Sequence, residues 1–180
     1  SGSGARGKQL LSETAYNANG TVQKVTYGNG GKAAYTYDSF KRVTGVTYLS
    51  YIYDDCGNII AVSDGVKQIT YVYNKLGQLI RANDPHDATA GSSGTTWVYA
   101  YDLGGNILSK KAYAYTTGTL GAAVHTDTYT YGDANWKDKL TAFNGKSITY
   151  DAIGNPLKDS TWTYTWGKGR QLQYMVKNGD

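Results

Sequence analysis

The sequence is poor in the residues that build disulfides, metal sites and many catalytic centres. Its 180 residues include one cysteine, Cys56, and two histidines, His86 and His125. A single cysteine excludes an internal disulfide. The histidines are far apart in the chain, fall in predicted loops and have no other histidine or cysteine at ligand spacing. We therefore predict no metal, no cofactor and no catalytic residue, and we interpret Cys56 as a thiol in a turn.

Long apolar runs and long basic runs are also missing. No segment approaches the roughly 18–20 apolar residues of a membrane-spanning helix, so no membrane span is expected. The net charge of +4 is spread along the chain, which favours a solvated, slightly basic surface over a nucleic-acid partner. The glycine clusters at Gly28–Gly31 and Gly104–Gly105 lack the Lys-Ser/Thr ending of a phosphate loop and are interpreted as turns.

Tyrosine and glycine dominate what remains. There are 18 tyrosines and 23 glycines against two phenylalanines, two prolines and one methionine. Tyrosine favours strands, and glycine without a collagen-like period indicates many turns. No segment has a sustained helical period with capping residues, so almost no helix is expected. With 180 residues, the chain is long enough to bury most of the surface of its unfolded form in a core.

One pattern recurs along the chain: Tyr-x-Tyr-Asp/Asn-x-x-Gly-x-aliphatic. Its clearest copies begin at Tyr51, Tyr71 and Tyr99. Two tyrosines two positions apart share one face of a strand. Asp or Asn suits the first position of a type I turn, and a left-handed glycine three residues later completes a three-residue hairpin loop with a bulge.

This hairpin predicts which residues face each other across the two strands. The second tyrosine should lie opposite the aliphatic residue, a pair that contributes about 0.2–1 kcal/mol in each hairpin. The predicted pairs are Tyr53 with Ile59, Tyr73 with Leu79, and Tyr101 with Ile107. The residues that define the repeats are Tyr37, Asp38, Tyr53, Asp54, Gly57, Tyr73, Asn74, Gly77, Tyr101, Asp102, Gly105, Tyr150, Asp151 and Gly154.

Weaker copies flank the three clear ones. Tyr16 should pair with Val22, and the copy at Tyr37 has Lys41 in place of glycine, so its turn must absorb strain or change type. In the copy at Tyr150 the aliphatic position holds Pro156, which cannot donate a ladder hydrogen bond. Further variants begin at Tyr129 and Tyr164. We call the aromatic residue directly before each turn the anchor aromatic of its repeat, and in these two variants it is Tyr131 and Trp166.

Together these copies predict an all-β fold of consecutive antiparallel β-hairpin repeats. The hairpins should form one continuous, twisted and curled sheet, or a partial β-shell or solenoid. The stretches Ala82–Thr96 and Thr116–Thr126 are interpreted as insertions on one rim of the sheet. Residues 1–7 have the composition of a linker, and residues 8–180 are expected to form a single array, a fragment of a longer one.

The repeated motif resembles the YD-repeat, or rearrangement-hotspot (Rhs) repeat, of bacterial polymorphic toxins and wall-associated proteins. The resemblance covers the chain from about Tyr16 onward. It implies a hollow β-shell that encloses a toxin domain, and a secreted or cell-surface location for the parent protein. Asp84-Pro85 is followed by His86-Asp87 and so departs from the Asp-Pro-x-Gly signature of the self-cleaving core in this family; no catalytic residue is carried over.

Three functions follow as hypotheses. The first is a non-catalytic structural segment of a toxin-encapsulating shell, with neighbouring repeats and the enclosed toxin as partners and self-association through open strand edges. The second is a carbohydrate-binding or adhesive module that uses aromatic residues such as Trp97, Tyr99 and Tyr113. The third, a hydrolase, has only scattered aspartates in its favour. The recurrence of Asp at one repeat position indicates turn chemistry, and we expect the chain not to be an enzyme.

Overall fold

The structure is a computed structural model that describes residues 10–179; the predicted linker at residues 1–7 lies outside them. The described residues are nearly all β, with one short 3₁₀ turn, Lys168–Arg170, and no helix of the length and apolarity that a membrane span requires. The strands are β1 Leu11–Tyr16, β2 Val22–Tyr27, β3 Lys32–Tyr37, β4 Val43–Val46, β5 Leu49–Tyr53, β6 Ile59–Ser63, β7 Gln68–Tyr73, β8 Leu79–Asp84, β9 Thr95–Tyr101, β10 Ile107–Ala114, β11 His125–Thr130, β12 Ala142–Phe143, β13 Lys146–Ser147, β14 Thr149–Tyr150, β15 Pro156–Lys158, β16 Trp162–Trp166 and β17 Leu172–Lys177.

Every strand pairs antiparallel with its neighbours in sequence, as consecutive hairpins require, except at the boundary between β13 and β14. The strands form one 13-stranded sheet, β1 to β13, and a second sheet of four strands, β14 to β17. The prediction of one continuous sheet is therefore wrong at the β13–β14 boundary. The strands β12 and β13 are two residues long, and the amide of Ile148 donates back to the Thr141 carbonyl at 2.9 Å. This bond continues the pairing of β12 with β13 by one position, and Ile148 is the residue that separates β13 in the first sheet from β14 in the second.

The register inside the hairpins follows the predicted pattern. Tyr53 lies opposite Ile59, Tyr73 opposite Leu79, and Tyr101 opposite Ile107. A bulge follows each aliphatic residue, so the ladder shifts by one position next to the turn. The weaker copies behave in the same way, and their pairs are Tyr16 with Val22, Tyr37 with Val43, and Tyr150 with Pro156.

The turns need one residue in the left-handed region, and glycine fills that position in most repeats. Gly57 has φ +89° and Gly77 has φ +73°. Lys41 occupies the same position with φ +62°, and its amide still donates to the Asp38 carbonyl at 3.0 Å. The turn type is therefore kept, and the strain expected from the missing glycine is located at Lys41.

The sheet does not fold around a hydrophobic core. The chain exposes 12278 Å², whereas a compact protein of this mass exposes about 8,500 Å². Among residues 10–179, the buried hydrophobic residues are four alanines, Ala33, Ala61, Ala82 and Ala112. The chain is long enough for a core but builds none at its centre, because a sheet whose strands meet only their neighbours in sequence leaves both of its faces open.

Two long loops lie at the sheet rim opposite the tyrosine turns. They are residues 85–94, between β8 and β9, and residues 115–124, between β10 and β11. The predicted insertions are longer than the observed loops. In the first of them, residues 82–84 and Thr95–Thr96 belong to strands. The placement of His125 in a loop is also wrong: it is the first residue of β11, opposite Ala112.

Candidate functional site: the interface between repeats

Each complete hairpin turn is closed by two residues four positions apart. In the turn after β5, the Asp54 carboxylate accepts the Asn58 backbone amide at 2.8 Å and its side-chain amide at 2.8 Å. The backbone closes the same loop, with the Gly57 amide donating to the Asp54 carbonyl at 3.1 Å. The other turns with this side-chain exchange pair Asn74 with Gln78, Asp102 with Asn106, and Asp151 with Asn155.

These hydrogen bonds favour the ionised form of the turn aspartates. The Asn58 side chain, together with backbone amides, holds the pKa of Asp54 below its ordinary value. The Asn106 side chain does the same to the pKa of Asp102. A carboxylate held ionised by amide donors stabilises a turn and is poorly suited to supply a proton in general acid catalysis. The asparagine that follows the glycine was visible in the sequence, but its role was missed.

A second contact joins each repeat to the one before it. The anchor aromatic of a repeat donates a side-chain hydrogen bond to the backbone carbonyl at the aliphatic position of the preceding repeat. Tyr73, for example, donates its hydroxyl to the Ile59 carbonyl at 3.0 Å. The full series is Tyr37 to Val22, Tyr53 to Val43, Tyr73 to Ile59, Tyr101 to Leu79, Tyr131 to Ile107, Tyr150 to Leu140, and the Trp166 indole N–H to Pro156.

The ladder between repeats shows why this carbonyl is available. Strand β6 pairs with β7 from Ser63 to Ala61, and Ala61 lies opposite Thr70. The pairing stops there, two residues before Ile59, and the tyrosine hydroxyl reaches the carbonyl that the backbone leaves open. The same two-residue gap precedes Val22, Val43, Leu79 and Ile107.

One weaker repeat uses an arginine to link its turn to the next. Arg42 stands where other repeats have asparagine or glutamine, and its Nε donates to the Asp38 carboxylate at 2.6 Å. Its guanidinium lies 4.5 Å from the centroid of the Tyr53 ring, and its Nη1 donates to the Asp54 carbonyl at 3.2 Å. The side chain therefore caps its own turn and contacts the following turn, which contributes an attraction between cation and ring.

The tyrosines make one face of the sheet less exposed than the other. In β7, Tyr71 and Tyr73 are half-buried, while Val72 between them is 44% exposed. Burial raises the pKa of Tyr71, Tyr99 and Tyr101 above the ordinary tyrosine value. This tyrosine face is therefore partly desolvated, and its hydroxyl groups remain protonated at neutral pH.

The two rim loops are held to the sheet by a polar network. The guanidinium of Arg81 donates to the carbonyls of Thr116 and Gly118 in the second loop. The hydroxyl of the buried Thr96 lies 3.0 Å from the Thr116 carbonyl and 3.1 Å from Oδ1 of the buried Asn83. The loops and the strands between them therefore form one connected unit.

In the first rim loop, Asp87 links the loop to β9. The Trp97 indole donates to Asp87 at 2.6 Å. Hydrogen bonds from Thr89 first, and then from Trp97 and Thr95, lower the pKa of Asp87 to about 2. Lys110 Nζ lies 3.8 Å from the Trp97 ring centroid.

The residues considered for other chemistry lie apart from one another. Cys56 is exposed in its turn, His86 approaches Asp64 at 3.5 Å, and His125 approaches Asp127 at 3.0 Å. Among residues 10–179 no group of three or more His, Cys, Asp or Glu side chains could hold a metal ion.

The aromatics named for glycan contact, Trp97, Tyr99 and Tyr113, are half-buried. One face of the Trp97 ring is covered by Lys110. Glycan binding therefore stays a prediction, and a glycan array is the direct measurement of it.

Comparisons with known proteins agree with the interpretation of the recurring motif as an Rhs repeat. A family model described as "RHS Repeat" matches residues 16–51. The tRNA3(Ser)-specific nuclease WapA of Bacillus spizizenii is 32% identical over 178 residues, which cover 92% of this chain and 7% of that protein. The tRNA nuclease WapA of Bacillus subtilis gives the same values. The chain thus spans about 7% of the length of the curated relatives it matches.

Solved structures share the fold at lower identity. The Photorhabdus luminescens Tc holotoxin pore matches with a TM-score of 0.58 and 17% identity, covering 94% of this chain and 11% of that chain. A crystal structure of TcdB2-TccC3 without its hypervariable C-terminal region matches with a TM-score of 0.59 and 18% identity, covering 93% and 11%. The recurring motif of this chain is thus the Rhs, or YD, repeat that the family model matches at residues 16–51.

Proposed function

We propose that the chain is a non-catalytic structural segment of a β-shell that encloses a toxin domain. The observation that carries this proposal is the hydrogen bond from each anchor aromatic to the repeat before it. Such a contact lets a sheet grow repeat by repeat into a wall without a central core. The partly desolvated tyrosine face is the surface that we assign to the inside of that wall.

The comparisons support the shell at the level of fold. The matching solved chains belong to assemblies of a Tc toxin and of TcdB2-TccC3, and this chain covers 11% of each. A segment of that length supplies a part of a wall, and the rest of the wall and the enclosed domain would come from the parent protein. We extend the same proposal to location: the parent protein acts as a secreted or cell-surface toxin.

Protease protection tests the shell. In the parent protein, we expect the enclosed domain to resist a protease added outside the wall. Replacing Tyr73 and Tyr101 with phenylalanine removes two contacts between repeats and should speed cleavage of that domain. The control, Tyr48→Phe, alters an exposed tyrosine whose hydroxyl has no partner among residues 10–179. Cleavage of the enclosed domain at equal rates in all three proteins would contradict the proposal.

The absence of enzymatic activity is a separate part of the proposal. The curated relatives are named as tRNA nucleases, and we assign no such activity to this segment because its recurring aspartates are engaged in turns. Incubation of the isolated chain with tRNA should leave the RNA intact. Cleavage that copurifies with the chain and disappears in Asp54→Asn or Asp102→Asn variants would overturn the assignment.

A further inference from the structure

On the rim of the sheet that carries the tyrosine turns, one connection is longer than the others. Strands β11 and β12 are joined by residues 131–141, and we call residues 132–141 the strap. The strap is ordered by its own contacts: the amides of Asn135 and Trp136 each donate to the Asp133 carboxylate at 2.9 Å. Lys139 forms an ion pair with the same carboxylate. The strap therefore has a defined shape that can position the side chains it carries.

The strap contacts the turn before it and the strand after it. On one side, the Asn106 side-chain amide donates to Asp138 Oδ1 at 3.0 Å, and Asn106 also closes its own turn with Asp102. On the other side, the Leu140 carbonyl accepts the Tyr150 hydroxyl at 2.7 Å. Through these bonds, one segment reaches a hairpin of the 13-stranded sheet and a strand of the four-stranded sheet.

The Trp136 ring packs directly on the turn that follows β14. A Cβ added at Gly154 would lie 2.5 Å from Cζ3 and 2.7 Å from Cη2 of the ring, so the contact leaves no room for a side chain. Gly77 fills the same left-handed position in its own turn, and a Cβ there would meet no atom within 4 Å. Gly154 thus has a role beyond its φ of +87°, because the indole lies on it.

The strap lies where the ladder between repeats is interrupted. Among residues 10–179, no ladder pair joins a strand of the 13-stranded sheet to β14–β17, and Ile148 is the one residue between β13 and β14. Lys139 lies near an aromatic ring on each side of this boundary. Its Nζ is 5.6 Å from the Tyr150 ring centroid and 5.8 Å from the Trp136 ring centroid, within the range of attraction between cation and ring. Side chains of the strap therefore take the place of the ladder here.

We propose that the strap fixes the four-stranded sheet against the 13-stranded sheet, and that Trp136 is the side chain on which this depends. When the indole leaves Gly154, the four-stranded sheet moves as a unit about Ile148. The motion is that of a hinge, because a residue between two paired elements can absorb the change in backbone angles. The strap acts within the chain, so its role does not depend on an enclosed toxin domain.

Spin labels on both sides of Ile148 test this role. In a Cys56→Ser background, Leu103→Cys labels an exposed turn of the larger sheet and Ser160→Cys labels an exposed turn of the smaller one. Double electron–electron resonance should give a narrow distance distribution for this pair, and a broad one after Trp136→Ala. The matched pair, the exposed Cys56 with Leu103→Cys, lies within the larger sheet and should keep its distribution in the same variant.

Three results would overturn the proposal. An unchanged distribution across Ile148 would show that Trp136 does not hold the two sheets together. Broadening within the larger sheet as well would show that Trp136→Ala loosens its own sheet instead of releasing the smaller one. The control substitution, Tyr48→Ala, removes a ring that is 77% exposed and distant in sequence from the strap. Equal broadening by Tyr48→Ala would show that the effect is not specific to the strap.

A double-mutant cycle isolates the contact between the indole and the glycine. Gly154→Ala places a methyl group where the ring lies, so amide exchange in β14–β17 should rise more in the wild-type background than in Trp136→Ala, where only the left-handed strain remains. We expect the two increases to differ about three- to tenfold. Gly77→Ala is the matched control, and its effect on exchange in β7–β8 should be the same with and without Trp136. Equal effects of Gly154→Ala in both backgrounds would refute the role of the indole.

Discussion

At the scale of single residues, the anchor tyrosines combine a ring that packs within the hairpin with a hydroxyl that reaches the previous repeat. Tyr73 lies opposite Leu79 in its own hairpin and donates to the Ile59 carbonyl of the hairpin before it. Phenylalanine would supply the first interaction and not the second. This dual use gives a physical reason for a chain with 18 tyrosines and two phenylalanines.

Removing one such hydroxyl should have a measurable cost. We expect Tyr73→Phe to lower the free energy of unfolding by about 0.5–1.5 kcal/mol, because the ring stays in place and the Ile59 carbonyl loses its donor. Urea denaturation measures the change. Tyr48→Phe is the control and should stay within about 0.5 kcal/mol of the wild type. Equal effects of the two substitutions would show that the hydroxyl contact does not contribute to stability.

The left-handed lysine provides the second prediction at this scale. Lys41 has φ +62°, a conformation that costs a residue with a Cβ more than it costs glycine. We expect Lys41→Gly to raise the free energy of unfolding by about 0.5–1 kcal/mol, after the greater chain entropy of unfolded glycine is subtracted.

The matched substitution at another turn should act in the opposite direction. Gly77 has φ +73°, and a Cβ there would meet no atom within 4 Å, so Gly77→Ala introduces backbone strain alone. We expect that variant to be destabilised, by about 1–2 kcal/mol. If both substitutions shifted the urea midpoint in the same direction, the strain assigned to Lys41 would be wrong.

At the scale of elements, hairpins and rim loops are stabilised in different ways. A hairpin turn is closed by residues four apart, such as Asp54 and Asn58. The rim loops are held by contacts between distant segments, such as Arg81 with Gly118. The first kind of contact forms from nearby sequence, whereas the second needs strands β8 to β10 already in place.

The first rim loop should make stability depend on pH in the acid range. The folded pKa of Asp87 is about 2, and the unfolded value is about 3.9. The stabilisation from the ionised carboxylate is thus complete above about pH 5 and is lost as the pH falls below the unfolded pKa toward 2. We expect Asp87→Asn to lower the melting temperature at pH 7 because the amide offers Trp97 and Thr89 one acceptor oxygen instead of two.

A pH series of melting temperatures checks this prediction. The difference between wild type and Asp87→Asn should be constant from pH 7 to about pH 5 and should shrink as the pH approaches 2. Asp55→Asn is a suitable control, because Asp55 is an exposed turn residue whose side chain has no hydrogen-bond partner among residues 10–179. A difference that does not change with pH would show that the charge of Asp87 is not the cause.

At the scale of the whole molecule, the array has no shared core, so its parts should fold with limited mutual dependence. The four-stranded sheet begins at Thr149, and the 13-stranded sheet ends at Ser147. The sheets meet in a few side-chain contacts, among them the Tyr150 hydroxyl with the Leu140 carbonyl and the Trp136 ring against Gly154.

A chain that stops after Ser147 should therefore keep the larger sheet. We expect its hydrogen exchange at β5 to β8 to match that of the full chain, with losses confined to residues near Trp136 and Leu140. Exchange monitored by mass spectrometry resolves these segments. Loss of protection throughout β5 to β8 would show that the two sheets form one cooperative unit.

Much of this architecture was predictable because nine neighbouring residues are enough to specify a hairpin. The motif from Tyr51 to Ile59 predicts two strands, a turn and a register, and the observed pairing of Tyr53 with Ile59 agrees. Even the exception at Lys41 was located, because a missing glycine at a left-handed position has a local consequence. The candidate interface was only half visible: the tyrosines were identified, but the carbonyls that accept their hydroxyl groups were not.

The sequence by itself determined the hairpins, since each depends on alternation, turn residues and pairing within a short segment. Only the tertiary structure decided where the sheet breaks at Ile148, how Arg81 connects the rim loops, and which carbonyl each tyrosine reaches. These features join residues separated by whole strands and depend on where each ladder between repeats stops. No single segment of the chain encodes that end point, because it results from the stacking of one hairpin on the next.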